Sequence, residues 1–458
     1  MKSMVPTREF GRHEYAGAAI LGARQGFQAS KRRRDAAPPN RPKKRLTLTH
    51  ARQSTRMPRG GSNELSCRPT ASGPTLKHVP ARIAMKIALV HDWLTGMRGG
   101  EKCLQVLCRN FPNAQVYTLL HIPGTTSPDI ERMAIHTSFL QHLPGAKRYY
   151  RYLLPLMPAA IERLNLPDDV DLVVSLSHAV AKSVRAPRGA IHVCYCFTPM
   201  RYAWHRRADY FAAPTRLAGA PIAAVREKIL DRIRRWDRAT SDRVTHFLAI
   251  SRTVQRRIED SYGRPSQILY PPVDTEFYAP DREGPSARED YYLCVSALAP
   301  YKRIDLAVQA CRRLGRRLVV IGAGPEQRRL KRLAGPMIEL AGWCSDETIR
   351  QHFRRCRAVL FPANEDFGIV PLEAQACGTP VIAYRDGGAT ETIVGATPLR
   401  PGTGWFFDRQ TPDCLARAIE ESERTNGWFC PNRARTQAER FSTVRFEREF
   451  LAYLNQTM

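Results

Sequence analysis

The sequence predicts an α/β chain of two doubly wound domains facing one another across a cleft, preceded by a disordered basic extension. Three observations carry this. Short apolar runs alternate with helically periodic segments in two consecutive arrays, one from Met85 and one from Tyr291, separated by the proline-marked connector Tyr270-Pro271-Pro272-Val273-Asp274. The 458 residues are too many for one ordinary core and, at 43% hydrophobic, too apolar for wholesale disorder. Half of the net charge of +28 falls in residues 1–84, which carry 18 Lys and Arg against 4 Asp and Glu and show no hydrophobic periodicity.

Three readings are open for residues 1–84, with their clusters Lys31-Arg32-Arg33-Arg34 and Pro42-Lys43-Lys44-Arg45. They are a tail for nucleic acid or an anionic surface, an Arg-rich targeting segment, or sequence upstream of a misassigned start. The strand pattern that opens at Met85 favours the last. No run approaches the roughly 18 to 20 apolar residues of a membrane span. Twelve cysteines, none spaced C-x-x-C, sit mostly in apolar runs as small hydrophobes, so a reduced, cytoplasmic compartment is expected.

From Met85, Lys-Ile-Ala-Leu-Val-His-Asp reads as a strand buried on both faces. It turns through Thr95 to Gly99-Gly100 into a helix at Glu101–Leu107. Asp171–Ser175, Ile191–Tyr195 and Val244–Ile250 read as further strands, and Ser251 caps a basic helix, Arg252–Asp260. In the second array strands are expected at Tyr291–Ser296, Leu318–Ile321, Met337–Leu340, Ala358–Phe361 and Val381–Tyr384, with helices at Ile304–Arg313 and Asp346–Arg355. One long helix is expected near Thr436–Asn455, bracing the first domain. The boundaries are 1–84, 85–272, 273–435 and 436–458.

The most specific feature follows the strand Ala358–Phe361: Asn364-Glu365-Asp366-Phe367-Gly368-Ile369-Val370-Pro371-Leu372-Glu373. Two carboxylates eight positions apart flank a glycine turn and a helix start, whose amides favour anions while the glutamates accept sugar hydroxyls. The plainer alternative, a surface Glu and an unrelated helix Glu, loses ground because Gly378-Thr379-Pro380 opens the next strand at the expected distance and Gly387-Gly388 adds a second loop. His178 ends a strand and so points at the cleft, although a lone His is more often structural. Gly322-Ala323-Gly324-Pro325 lacks the third glycine of a dinucleotide fingerprint and reads as a tight turn lining the cleft. Lys147–Met157 mixes cations, tyrosines and apolar residues, which suits either an anionic bilayer surface or packing on its own domain; the Arg-rich stretch Arg226–Arg238 adds to the first reading.

Across most of residues 85–450 the chain resembles the retaining GT-B glycosyltransferases of family four. The resemblance rests on the Glu-x7-Glu block, Gly99-Gly100, the Pro-Pro-Val-Asp connector and Pro300-Tyr301-Lys302-Arg303-Ile304-Asp305. A narrower likeness to bacterial mannosyltransferases of O-antigen and exopolysaccharide assembly rests on Val90–Leu94, Ser177–Lys182 and Thr198–Trp204. The resemblance implies two Rossmann-like domains, an acceptor domain at 85–272 and a nucleotide-sugar domain at 273–435. It implies that Glu373 holds the ribose, Glu365 the transferred sugar, and Phe367, Gly368, Ile369 and Val370 the donor through their amides. Gly99 and Gly100 would complete the donor site, Lys302 would pair with the diphosphate, Arg303 would add a second charge, and His178 would orient the sugar. The family usually has arginine where this chain has Ala297, with Arg201 or Arg303 as the replacement, and similar sequences often have histidine at Phe197.

The function expected is therefore a metal-independent hexosyltransferase without cofactors, taking mannose from GDP-mannose to a lipid-linked or other saccharide acceptor. It would work in the cytoplasm or peripherally on the inner face of the cytoplasmic membrane, in contact with anionic lipid. A sugar-nucleotide epimerase or phosphorylase of the same fold stays open. A nucleic-acid-binding protein using 1–84 and the Arg226–Arg257 stripe is disfavoured, because stacking aromatics are not interleaved with the basic clusters of the tail. Asp169 and Asp171 form an Asp-x-Asp, but at the entry end of the strand whose other end carries His178.

Overall fold

A computed structural model describes residues 85–204, 220–281 and 288–458, without the side chains of 220–223. The basic extension expected at 1–84 lies outside the described residues. The first array forms a seven-stranded sheet of β1 (Ile87–His91), β2 (Gln115–Thr118), β3 (Ala134–Thr137), β4 (Leu172–Ser177), β5 (Ile191–Cys196), β6 (His246–Ala249) and β7 (Ser266–Ile268). Its order is β3-β2-β1-β4-β5-β6-β7, with every pairing parallel. The second array forms a six-stranded sheet of β8 (Tyr292–Val295), β9 (Leu318–Ile321), β10 (Ile338–Gly342), β11 (Ala358–Phe361), β12 (Val381–Tyr384) and β13 (Gly404–Phe407). Its order is β10-β9-β8-β11-β12-β13, again all parallel.

Both sheets reverse strand order beside their first strand, β1 against β4 and β8 against β11. Ligands of doubly wound sheets gather beyond the carboxyl ends of the strands at this reversal. The strands there are largely buried, as parallel strands covered by helices on both faces must be; β4 is buried at all six positions and β11 at all four, while β1 and β8 each keep one partly exposed end.

One expectation is corrected. The single terminal helix near Thr436–Asn455 is two helices, Pro431–Glu439 and Thr443–Thr457. Between them the Phe441 carbonyl accepts Val273 N (2.8 Å), and Thr443 N donates to the Val273 carbonyl (3.1 Å). The chain leaves helical geometry to pair with the Pro-Pro-Val-Asp connector. Ser442 then restarts it, its Oγ accepting Arg445 N at 3.3 Å. The second of these helices lies on the first domain, where Phe450 meets Phe111, Phe446 meets Tyr195 and Tyr453 meets His246.

A fully buried ion pair accounts for two of the segments behind the narrower likeness. Lys182 Nζ lies 3.1 Å from Asp237 Oδ1, with the two side chains 1% and 0% exposed. Lys182 also donates to the Asp237 carbonyl (2.6 Å), while Trp204 Nε1 and the Tyr262 hydroxyl donate to Asp237 Oδ2 at 2.8 and 2.9 Å. Ser177–Lys182 and Thr198–Trp204 are thereby tied to the helix Ala220–Ala239 through one carboxylate.

Candidate functional site

At the reversal of the first sheet, β1 delivers Asp92 and β4 delivers His178. Asp92 is wholly buried and accepts four consecutive backbone N–H groups: His178 (2.7 Å) and Ala179 (2.9 Å) on Oδ2, Val180 (2.6 Å) and Ala181 (2.8 Å) on Oδ1. His178 Nδ1 lies 3.0 Å from Asp92 Oδ2. A carboxylate only accepts, so Nδ1 carries the proton and Nε2 is the ring's other polar atom. Burial alone would raise the Asp92 pKa, but His178 and the backbone donors outweigh it and hold the carboxyl well below its usual range. His178 stands edge-on to Trp93 at 4.5 Å and faces Phe197 at 6.4 Å. Next to it, His91 is buried, its Nδ1 bonded to the Trp93 carbonyl at 3.0 Å, and burial depresses its pKa. Sequence reasoning misses Asp92; the available signal is an acid at the mouth of a buried strand, paired with a His at the mouth of its neighbour.

At the reversal of the second sheet, β8 leads to Lys302 and β11 to Glu365. Lys302 Nζ lies 2.5 Å from Glu365 Oε1, so the groups expected on diphosphate and sugar occupy one spot, 14% and 23% exposed. Arg303 adopts φ 51° at the start of the helix Ile304–Leu314 and bonds Asp305 (3.3 Å) and the Gln410 carbonyl (3.4 Å). Gly368 caps the helix Ile369–Ala376 at φ 90°, a left-handed turn suited to glycine, with Phe367 buried behind it against Tyr270. Gly388 N donates to the Glu365 carbonyl (2.8 Å), and any Cβ at Gly388 would run into the Phe367 backbone. The glycine pair Gly387-Gly388 thus shapes the loop that bears Glu365.

The two halves meet through the Glu-x7-Glu block itself. Gly99 and Gly100 open the helix Gly99–Asn110, and a Cβ at Gly99 would stand 2.9 Å from Ile369 Cδ1, so two helix amino ends converge. Both carry partial positive charge. Asp366, 4% exposed, takes Arg201 at 2.5 Å and also Arg257, and its carbonyl accepts Ser251 Oγ at 2.6 Å. Burial would raise its pKa, but the two guanidinium groups hold it low. Glu373 Oε1 is met by Lys102 Nζ at 2.9 Å. Of the two arginines considered for the position at Ala297, Arg201 lies on Asp366 and Arg303 on Asp305 and Gln410. Among the described residues no hydrogen bond or ion pair joins His178 to Lys302 or Glu365. Lys102 escapes notice in the sequence, where it reads as an ordinary solvated charge, while Arg257 enters only as part of the basic stripe Arg226–Arg257 and Asp366 only as a residue between the two glutamates.

Elsewhere, Gly322 and Gly324 form the expected strand-to-helix turn, but their open faces are filled by the backbone of Ser296 and Leu298. Asp169 pairs with Lys86, and Asp171 Oδ2 accepts Lys86 N (2.8 Å), both at the amino end of β4. Lys147–Met157 divides: Leu154 and Met157 are buried in the core, while Tyr149, Tyr152 and Leu156 are 45%, 64% and 43% exposed.

Comparison with known proteins bears first on the second domain. Residues 279–439 match the family model described as Glycosyl transferases group 1. This group 1 region contains Lys302, Glu365 and Glu373. A GDP-mannose-dependent alpha-(1-6)-phosphatidylinositol monomannoside mannosyltransferase of Mycolicibacterium smegmatis is 29% identical over 198 residues, 37% of this chain and 50% of that protein. A D-inositol 3-phosphate glycosyltransferase of Acidothermus cellulolyticus is 33% identical over 202 residues, 36% of this chain and 43% of that one. The chain thus spans about half the length of the curated relatives it matches. Among solved structures, Anabaena HepE in complex with UDP and glucose aligns over 81% of this chain and 99% of its own at TM-score 0.61 and 19% identity. The apo lipopolysaccharide outer core galactosyltransferase WaaB aligns over 82% and 100% at TM-score 0.55 and 16% identity. These likenesses bear on the fold, which is GT-B: two Rossmann-like domains with parallel sheets. No helix among the described residues is long and apolar enough to cross a membrane.

Proposed function

We propose that this chain is a retaining, metal-independent hexosyltransferase that moves mannose from GDP-mannose to a lipid-linked saccharide. The observation that carries the reading is the Lys302–Glu365 pair at the strand-order reversal of the group 1 domain, with two helix amino ends converging beside it at Gly99 and Ile369. A diphosphate entering there competes with Glu365 for Lys302. The freed carboxylate then accepts hydroxyls of the sugar that the diphosphate carries. Lys302, Arg303 and the helix-start amides supply the positive charge that leaving-group departure demands. Among the described residues no side chain at this spot stands out as a covalent nucleophile, and the family resemblance implies that the acceptor attacks from the face the diphosphate leaves, with the departing phosphate oxygen taking its proton. His178, fixed by Asp92, orients the sugar from the opposite domain.

GDP-mannose is favoured by the named activity of the mycobacterial relative, and a lipid-borne acceptor by the exposed Tyr149, Tyr152 and Leu156 beside Lys147, Arg148 and Arg151. A second face has the same character, with Val225 and Ile229 57% and 38% exposed next to Lys228 and Arg232. These surfaces suit peripheral contact with an anionic membrane at the cytoplasmic side.

Thermal-shift screening against GDP-, UDP- and ADP-sugars tests the donor, since a ligand at 100 times its dissociation constant adds roughly 2.7 kcal/mol of stability. GDP-mannose should give the largest shift. A larger shift with a UDP-sugar would overturn the donor assignment, and no shift with any nucleotide sugar would overturn the reading as a whole. Transfer should persist in excess EDTA. Its loss with rescue by Mn²⁺ would overturn metal independence and direct attention to Asp169 and Asp171.

A further inference from the structure

Lys102 belongs to the first domain and Glu373 to the second, 271 residues apart, yet Nζ and Oε1 meet at 2.9 Å with the side chains only 30% and 7% exposed. Lys102 sits on the first turn of the helix that Gly99 and Gly100 open, so the glycines that let the helix ends converge also bring its amine to the carboxylate. Asp346 Oδ2 stands 3.9 Å away on the other side, and the Tyr278 ring lies 5.5 Å off. The helix Ile369–Ala376 that carries Glu373 has no cation of its own. Among the described residues Lys102 is the one salt-bridge partner Glu373 has, and Oε2 takes no hydrogen bond. The amine stays protonated: burial would lower its pKa, but Glu373 and Asp346 raise it on balance.

We propose that Lys102 is a positioning residue of the donor site: from the first domain it pins Oε1 of Glu373 so that Oε2 is presented to the ribose hydroxyls of a nucleoside diphosphate. This rests on the assignment of Glu373 to the ribose. A carboxylate on a flexible three-bond stem bonds two adjacent hydroxyls only if its rotamer is fixed, and the ordering cost is already met in the ligand-free protein when one oxygen is held. The nucleotide site is then incomplete in the second domain alone. Nucleotide binding and the seating of the first domain also reinforce one another, because each stabilises the same carboxylate geometry.

The probe is whichever of GDP, UDP and ADP binds the full-length protein most tightly, with its 2′,3′-dideoxy counterpart, followed by calorimetry. Lys102→Ala and Lys102→Gln should each weaken the nucleotide by roughly tenfold, the worth of a hydrogen bond to a charged group. They should leave the dideoxy nucleotide unchanged, because that ligand has no hydroxyls for Glu373 to hold. Lys102→Arg should restore most of the difference, and the double variant Lys102→Ala/Glu373→Gln should bind no worse than Glu373→Gln alone. Melting temperatures identify any variant that is unfolded, and Lys102→Gln, shorter and uncharged but still polar, stands in should the alanine variant fail. Wild-type affinity in Lys102→Gln while Glu373→Gln is weakened overturns this inference and leaves the ribose assignment standing. Unchanged nucleotide affinity in Glu373→Gln overturns the ribose assignment itself. An equal loss for both ligands in the Lys102 variants shows a merely structural role and also overturns the inference.

Discussion

Asp92→Asn changes one atom, and the structure sets its cost. The carboxylate accepts five donors, three on Oδ2 and two on Oδ1, with no exposure to water. An asparagine must place its NH₂ on one side. On the Oδ1 side it faces the N–H groups of Val180 and Ala181; on the Oδ2 side it faces three donors, including the His178 ring. At least two charge-assisted hydrogen bonds are lost, and at about 1.5 to 3 kcal/mol each the expected destabilisation is about 3 to 6 kcal/mol. That is a large share of the roughly 5 to 15 kcal/mol that holds a typical domain. Urea unfolding at pH 7 of wild type and variant, with the slope checked for constancy, reads it directly. His178→Ala removes only the fifth donor and should cost far less. The depressed pKa of Asp92 adds a sign: its contribution is complete above the ordinary carboxylate range and is lost as pH falls through the folded value, so the two proteins should converge in strong acid. An Asp92→Asn protein within about 0.5 kcal/mol of wild type at pH 7, the range of ordinary surface changes, would refute the view that this carboxylate organises the mouth of the first sheet.

Three further outcomes follow from the same geometry. His192 is buried neutral, donating from Nδ1 to the Arg243 carbonyl (3.2 Å) and accepting Ser175 Oγ on Nε2 (2.8 Å), and burial lowers its pKa to about 4. Its unfolded form takes a proton first, so stability should fall by about 3 kcal/mol between pH 6.5 and 4, and His192→Gln should flatten that slope in unfolding free energies measured across the range. Lys182→Met leaves Asp237 charged and buried and should cost about 3 to 5 kcal/mol, with some of it regained in Lys182→Met/Asp237→Asn; a loss below 1 kcal/mol would refute the role of the pair. Glu373→Ala should weaken donor binding by about 1.5 to 3 kcal/mol, whereas Glu365→Ala should lower turnover more than it raises the donor Michaelis constant. Unchanged kinetics in both variants would remove the site assignment.

Sequence and structure agree where burial is two-sided. Leu318–Ile321, Ala358–Phe361 and Val381–Tyr384 are read residue for residue, because a strand covered on both faces is an uninterrupted apolar run. β3, Ala134–Thr137, escapes because it is an edge strand with alternating exposure and a sequence, Ala-Ile-His-Thr, too short and polar to show a period. The terminal helix reads as too long because apolar spacing runs on through Phe441, while the break comes from a pairing with Val273 far away in the chain. Glu365 and Glu373 are visible because only eight positions separate them. Asp92 and Lys102 are not, because their partners lie 86 and 271 residues away and no local pattern distinguishes them from a turn acid and a surface lysine. Lys182 and Trp204 show the opposite: residues that look like marks of substrate class sit in a buried network whose evident task is to hold the first domain together.

The neighbouring acids Glu365 and Asp366 face different domains, and that division constrains how the cleft can move. Glu365 is paired within its own domain by Lys302, so separating the domains leaves that pair intact. Asp366 and Glu373 are paired across, with Arg201, Arg257 and Lys102, and the carbonyl of Asp366 adds Ser251. Glu391 is a further tie, accepting Arg252 N at 3.0 Å and the Tyr270 hydroxyl at 3.0 Å. Opening at the connector Tyr270–Asp274 must therefore pull both of these nearly buried carboxylates away from three cations at once, which is costly unless water or a ligand replaces them. A loop anchored from both sides at adjacent residues has little freedom to drift. The Glu365 carboxylate thus sits next to a residue whose own charge is committed to the opposite domain, so the loop that bears Glu365 is anchored by the closed seating of the two sheets.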